Sequence, residues 1–557
     1  MPRYTKFGSP FKTPPLPESR VEIIDPTKGM HAGFSPQELP PGYTPDSQNF
    51  VVQDGSITPR SGLSRYDSTF SLGDAARGAF EFVDTAGQRY VFGASHTTFG
   101  VLASDAPSWN TLLYSASSPE GASPSGDWTD RWQGASIYCS AIDANVAVFT
   151  NGRDLPKYAV LQPSLATFSD FTWVSSLISR AVSACAFDNR LVFFDVGDST
   201  YSEPQRAVWS DRGDPLSYPA TNYADLLDMA GTGQVVVAEK DGIVLFSDRE
   251  IWRGQRRTDI YAFDFYPVFK SFGCPFPRTI VSTPLGIIFL GADFEVYLLN
   301  GTQVLALGPT TPQPVGAPQP QNPSRIQQHL SKRIHKAEMA LSAYDPFNRV
   351  YALFYCTGDD IFPTDALFYH LNNGACFRQK LSLGVSCAVD AEDREEDITF
   401  DSISPAYTWG DYDVMLDDAT LSPAPRRLQV WSADGTPYRF HSAQTSDDGT
   451  AIDARWRSHA LGQSDQFRYE TLWEIGVEHA TPSACSLGLH TSSDMGATFG
   501  SAYTRSLSST SAGNAILPAY ETASSPLFEV RVVDGGRPRI ARLQARLRDA
   551  GLYGGAL

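Results

Sequence analysis

Short runs of alternating apolar and polar residues, broken by turn signals, fill most of residues 76–310. Ala79-Phe80-Glu81-Phe82-Val83, the turn Asp84-Thr85-Ala86-Gly87 and then Arg89-Tyr90-Val91-Phe92 predict a β-hairpin. Asn145–Thr150 runs into Asn151-Gly152, and Arg190–Phe194 runs into Asp195 and Gly197. Val235–Ala238 meets Asp241-Gly242 and is followed by Ile243–Phe246. Ile287–Leu290 is followed by Glu295–Leu298 and Asn300-Gly301. The pattern resumes with Ala366–His370 before Asn372-Asn373-Gly374, and Leu428–Trp431 before Asp434-Gly435. Asn-Gly and Asp-Gly suit the positive-φ positions of tight hairpin turns. The turns ending at Gly152, Gly242, Gly301, Gly374 and Gly435 lie 59 to 90 residues apart, too far for bare four-stranded repeats. The prediction is an all-β chain: a β-propeller with irregular blades, an extended N-terminal arm and an added C-terminal β module. A pair of β-sandwiches is the alternative.

Residues 1–75 read as a Pro-rich arm, because Pro14, Pro15, Pro17, Pro36, Pro40 and Pro41 remove backbone donors and fix φ. The first blades then span 76–308, a Pro-rich spacer 309–325, and the remaining blades 326–441. Ile326, His329, Leu330 and Ile334 fall at near-helical spacing after the spacer. Val389 to Asp401 is acidic and reads as a solvated loop. Residues 442–557 form the C-terminal module, in which 491–513 reads as loop and Phe528–Val533 as the last strand. Arg539, Arg542, Arg546 and Arg548 make a basic tail, read as solvated.

Composition narrows the function. With 44 basic and 62 acidic residues the net charge is −18, which argues against a groove that grips nucleic acid by neutralising phosphates. It suits a passage along which nucleic acid slides, since a like-charged wall prevents sticking. The 7 cysteines show no CxxC or CxxH spacing and read as reduced core thiols. The N-terminal stretch has no apolar signal-peptide segment, and no apolar run is long enough to span a bilayer. No membrane segment is expected.

Catalytic signatures are sparse. There is no GxxxxGK[ST], HExxH or GxSxG, and the 9 histidines are not at ligand spacing, so no catalytic, cofactor or metal residue is assigned. Gly231-Thr232-Gly233 is a lone GxG, better read as a turn. The acidic run 390–397 lacks the alternation and mid-loop glycine of a calcium loop. Ser492-Ser493-Asp494-Met495-Gly496-Ala497-Thr498-Phe499 is similar to the Asp box of sialidase-like propellers, where Asp and Ser brace a hairpin turn. It occurs once, so it supports hairpins more than hydrolysis. A propeller placing paired carboxylates on its axis could still act as a glycan hydrolase or a glycan-binding module, which is the alternative function.

One stretch is recognisable. Leu39-Pro40-Pro41-Gly42-Tyr43, Asn49-Phe50, Asp54-Gly55 and Arg60-Ser61-Gly62-Leu63 resemble the opening of bacteriophage tail nozzle and tail tubular proteins. Val208-Trp209-Ser210-Asp211 with Gly213-Asp214-Pro215, Phe246–Trp252 followed by Phe272-Gly273-Cys274, and Asp447–Ile452 with Trp456 continue the resemblance in order. It marks Gly42, Asn49, Gly55, Arg60, Gly62, Trp209, Asp211 and Gly273 as structural motif residues. It implies a non-enzymatic virion protein of a short-tailed phage, made in the host cytoplasm and forming a hexameric nozzle ring below portal and adaptor. Its implied partners are other copies of the chain, the tail adaptor, tail fibre or spike and needle proteins, and the genomic DNA passing through without specific binding. Glu392, Asp393, Glu395, Glu396 and Asp397 are the candidate DNA-repelling loop. No cofactor is implied.

Overall fold

A computed structural model describes residues 19–67, 69–96, 98–103, 110–114, 130–160, 167–170, 178–197, 202–257, 262–309, 312–315, 324–392, 426–441, 444–462, 468–481 and 484–552. The chain divides into two compact units, Arg60–Ile452 and the pair of segments Met1–Pro59 and Asp453–Leu557.

The Arg60–Ile452 unit is a β-propeller. Seven antiparallel blades of four strands each, the fifth extended by the short strand Gln313–Pro314, follow one another among the described residues. The first comprises Gly78–Val83, Arg89–Ala94, Phe99–Ala103 and Asn110–Tyr114. The second comprises Gln133–Cys139, Ala144–Thr150, Lys157–Val160 and Thr167–Asp170, and its outer strand pairs in parallel with Asn110–Tyr114. The third runs from Arg180–Phe187 to Tyr223–Asp225, and the fourth from Gly233–Glu239 to Phe263–Phe269. The fifth runs from Val281–Thr283 to Gln303–Ala306, and the sixth from Leu341–Asp345 to Cys376–Lys380. The seventh has three strands from late in the unit, Val385–Glu392, Arg426–Ser432 and Pro437–His441, and takes its fourth, Gly62–Arg65, from the start. Pairing the two ends of the unit in one blade closes the ring and removes the exposed edges an open sheet would carry.

The core lies between blades. Second strands are buried on both faces: Val146 and Val148 enter one inter-blade cluster and Ala147 and Phe149 the other, as Leu191 and Phe193 do on one side and Val192 and Phe194 on the other. Phe82, Phe92, Phe99 and Phe149 pack edge-on between the first two blades, with centroids 5.2 to 6.1 Å apart. At the closing seam Trp431 of the seventh blade packs so tightly on the first that a Cβ at Gly93 would meet it at 2.2 Å.

The second unit holds two antiparallel sheets. One contains Phe50–Gln53, Ser56–Pro59, Arg539–Leu552, Arg468–Thr481 and Thr510–Ala523, with Ser19–Ile24 also paired to Arg539–Leu552. The other contains Ser47–Gln48, Ala454–Arg457, Leu527–Val532, Cys485–Ser492 and Tyr503–Leu507.

Several sequence expectations are corrected. The described part of 1–75 supplies strands to both units rather than a separate arm, because its short Pro-free runs find ladder partners far away in sequence. The segment 491–513 contains the strand Tyr503–Leu507 and the start of Thr510–Ala523. The basic tail is the strand Arg539–Leu552, with Ile540, Leu543, Ala545 and Leu547 buried between outward arginines. Arg539, Arg542 and Arg546 are solvent-exposed, as expected, and pair at the surface: Arg546 lies 2.5 Å from Glu474 and Arg539 lies 3.1 Å from Asp54, while Arg548 stacks 3.9 Å from the centroid of Trp473. The acidic stretch begins as strand, since Val385–Glu392 opens the seventh blade. The predicted helix covers Arg325–Leu330, and Ser324 caps it by accepting from Gln327 N. Ile334 lies beyond it, in a short strand. The third blade turns at Asp188 and Asn189, both at positive φ, and the strand Arg190–Gly197 continues through Asp195 and Gly197, where the sequence predicts a turn. Gly242 does not turn at positive φ. A side chain there would meet Gly254 O at 2.4 Å, so close backbone approach is what requires glycine.

Candidate functional site

The first strands of the blades surround a cavity of about 380 Å³ on the propeller axis. Hydrogen bonds tie these strands to one another. Val236 N donates to Ser183 Oγ at 3.0 Å, and Ser183 Oγ donates to Gln133 Oε1 at 2.6 Å. On the closing side Glu392 N donates to Glu81 Oε1 at 2.9 Å.

Three arginines line the cavity: Arg77 before the first blade, Arg131 before the second and Arg278 in the turn Pro277–Thr279 before the fifth. Phe80, Trp132, Ile280 and Leu341 give it apolar wall, and Gln133, Asn151, Gln234 and Ser342 give it polar wall. Arg131 donates to the Glu338 carbonyl and Arg278 to the Ser386 carbonyl. Burial pushes the Arg131 guanidinium down to about 8, and the positive charge of Arg278 beside it pushes in the same direction. Burial likewise lowers Arg278, opposed by the Cys387 thiol. Asp130 is the one carboxylate among the described lining residues, and Arg153 Nη1 sits 3.2 Å from it. Sequence reading missed these arginines, since nothing local distinguishes them and only ring closure brings them together.

The eight motif residues lie elsewhere, at points where geometry restricts the residue. Gly42 has φ +91 in a turn closed by Tyr43 N donating to Pro40 O at 3.2 Å. Asn49 sits at φ 60 and donates through Nδ2 to Asp453 O at 2.9 Å. Asp54 and Gly55, at φ 49 and 71, form the two-residue hairpin loop between Gln53 and Ser56. Arg60 is 1% exposed and clamps Asp447 with both terminal nitrogens, at 2.7 and 2.6 Å. A Cβ at Gly62 would meet Ser446 O at 2.2 Å, and one at Gly273 would meet Ser247 O at 2.2 Å. Trp209 packs edge-on against Phe263, centroids 5.4 Å apart, between the third and fourth blades. Asp211 closes the following turn by accepting from Ser217 Oγ at 2.8 Å.

The acidic candidates divide. Glu392 is a strand residue whose carboxylate pairs with Arg89 Nε at 2.7 Å, so its charge is compensated rather than solvated. Asp393, Glu395, Glu396 and Asp397 lie outside the described residues. The Asp box is a turn brace. Ser492 Oγ donates to Asp494 at 2.7 Å, Gly496 N donates to Ser492 Oγ at 2.9 Å, and Thr498 N donates to Asp494 at 2.9 Å. The hydrogen bonds from Thr498 hold the Asp494 carboxyl down to about 2. The box joins two strands of the Asp453–Leu557 segment and lies outside the propeller.

All seven cysteines are buried and free. Burial pushes the thiols of Cys185 and Cys274 up to about 12, which makes them inert. Among the described residues no group of three His, Cys, Asp or Glu side chains is placed to hold a metal ion, and no helix is long and apolar enough to cross a membrane.

No protein-family model matches the chain, and no curated protein matches it. Among solved structures, the WD40 β-propeller domain of Doa1 aligns at 11% identity and a TM-score of 0.34, over 69% of this chain and 98% of that one. YCF48 from Cyanidioschyzon merolae aligns at 10% identity and 0.36, over 68% and 99%. An exo-β-1,3-galactanase from Phanerochaete chrysosporium aligns at 9% and 0.28, over 88% and 100%. Similarity of this extent carries no functional argument, and the strand pairing itself defines the chain as a β-propeller protein with a second β unit.

Proposed function

We propose that this chain is a structural subunit of a short-tailed phage tail, assembling as a hexameric nozzle ring below portal and adaptor. The reading rests on one observation. The residues that carry the sequence resemblance, from Gly42 to Gly273, occupy positions where φ, close backbone approach, a buried charge, aromatic packing or a turn hydrogen bond restricts the side chain. A motif set of that kind specifies an architecture, not a reaction.

Charge is consistent with the role. Six copies at −18 each carry −108, and a wall of that sign repels phosphate and lowers friction for a passing genome. The axial cavity, at about 380 Å³, is on the scale of a small-molecule site, so the DNA path in this reading runs between subunits and not through a propeller. Glycoside hydrolysis needs two facing carboxyl groups, and among the described lining residues the cavity offers one, Asp130, with its Arg153 partner.

The test is cryo-electron microscopy of the particles produced with this chain. The expected result is six copies around the tail axis, in contact with the adaptor above and fibre, spike or needle proteins beside or below. Absence of the chain from particles overturns the reading. Turnover of a bacterial polysaccharide that a single carboxylate substitution abolishes would establish the glycan-hydrolase alternative instead.

A further inference from the structure

We propose that the axial cavity is a binding site for a small phosphate-class oxyanion, held between Arg131 and Arg278 with Arg77 completing the positive wall.

The first ground is an uncompensated charge. A buried guanidinium is ordinarily matched by a carboxylate, as Arg60 is by Asp447 in the same unit. Arg131 donates to the main-chain carbonyl of Glu338, and Arg278 to the main-chain carbonyl of Ser386 and the Cys387 thiol, none of them a carboxylate. The repulsion of Arg131 by Arg278 is larger than its attraction to either the Cys387 thiol or the Glu338 carboxylate. The single carboxylate among the described lining residues, Asp130, faces Arg153. Guanidinium groups forced together in low dielectric destabilise the empty protein, and an anion between them relieves both repulsion and desolvation.

The second ground is space and complementary donors. About 380 Å³ accommodates a small ligand, and the amides of Asn151 and Gln234 line the same cavity. Several planar guanidinium forks converging on one volume match a multi-oxygen anion, which can accept from each fork at once. A doubly charged phosphate group compensates this wall better than a single carboxylate. Trp132, Phe80 and Ile280 add an apolar side that would suit the body of a phosphate monoester. The inference is independent of the virion reading, because it depends on the cavity alone.

The test is isothermal titration of the full chain with inorganic phosphate in a chloride buffer of constant ionic strength. Parallel titrations with a hexose phosphate and a nucleoside monophosphate distinguish the free ion from an ester, the tightest identifying the natural class. One site per chain is expected, and Arg278→Gln and Arg131→Gln should each weaken it roughly 10- to 100-fold, the loss of one charge-assisted contact. Both variants should also melt at or above the parent temperature without phosphate, because each removes one of two neighbouring like charges; a purely structural arginine would give the opposite shift. No binding to the unmodified chain beyond chloride, or unchanged affinity in folded variants, overturns the proposal. Should one variant fail to fold, the other and the titration of the unmodified chain still decide it.

Discussion

Removing the Arg60 guanidinium should open the propeller at its seam. Arg60 and Asp447 are 1% and 3% exposed, and two parallel hydrogen bonds of 2.7 and 2.6 Å join them. The same guanidinium donates to Ser61 O at 3.0 Å and Lys380 O at 2.9 Å, and Asp447 also accepts from Ser382 N at 3.2 Å. The pair therefore anchors the chain just before Gly62–Arg65, the strand that completes the seventh blade. Arg60→Met leaves a buried carboxylate without its countercharge and takes one donor from each of two carbonyls. Breaking a buried pair from one side costs about 3–5 kcal/mol, whereas an exposed pair costs about 1 kcal/mol or less. Asp447→Asn should cost a similar amount, because it strands the guanidinium. The double variant Arg60→Met/Asp447→Leu should cost clearly less than the two single losses added together, since it strands neither charge. Urea unfolding gives the totals. Hydrogen exchange at the amides of Gly62–Arg65 and Pro437–His441 gives the local effect, which matters in a chain of two units. A loss within about 1 kcal/mol for Arg60→Met, with unchanged exchange at these strands, refutes the seam argument.

Burial raises the Glu295 carboxyl from 4.5 to about 7, although Val296 N and Gly308 N donate to it. The folded state then holds a proton that the unfolded chain has released, so stability falls as pH rises from 4.5 through 7 and levels off above. Glu295→Gln should remove that slope, worth about 3 kcal/mol, in melts compared at pH 5 and pH 8, and an unchanged slope would contradict the assignment. Gly273→Ala should destabilise by about 1–3 kcal/mol, because its Cβ would meet Ser247 O at 2.2 Å and the Arg249 and Glu250 amides at 2.6 Å; a neutral melt would show that the backbone yields. Deleting residues 1–40 removes Ser19–Ile24 from its sheet but no strand of the propeller, so hydrogen-exchange protection of the blades should persist while incorporation into tails falls. Normal incorporation would show that segment to be dispensable for assembly.

Short apolar runs such as Val146–Phe149 and Leu191–Phe194 determined the strands, and Asp54-Gly55 and Asp434-Gly435 determined the turns, because run length and turn chemistry are local properties of a chain. The Asp box could be read as a turn brace for the same reason. What folding alone decided involves partners far apart in sequence. Gly62–Arg65 pairs with Pro437–His441, and the arginine-rich strand Arg539–Leu552 pairs with Ser19–Ile24. Gly62–Arg65 is too short for its alternation to say much, and in Arg539–Leu552 the interspersed arginines hide the alternation of Leu543, Ala545 and Leu547 until a partner strand supplies the ladder. The axial arginines are the extreme case. Arg77, Arg131 and Arg278 stand in separate inter-strand segments with no shared spacing, and closure of the ring sets three like charges around one cavity. A sequence records which residues are charged, while the distances and the loss of water that give those charges their effect arise only on folding.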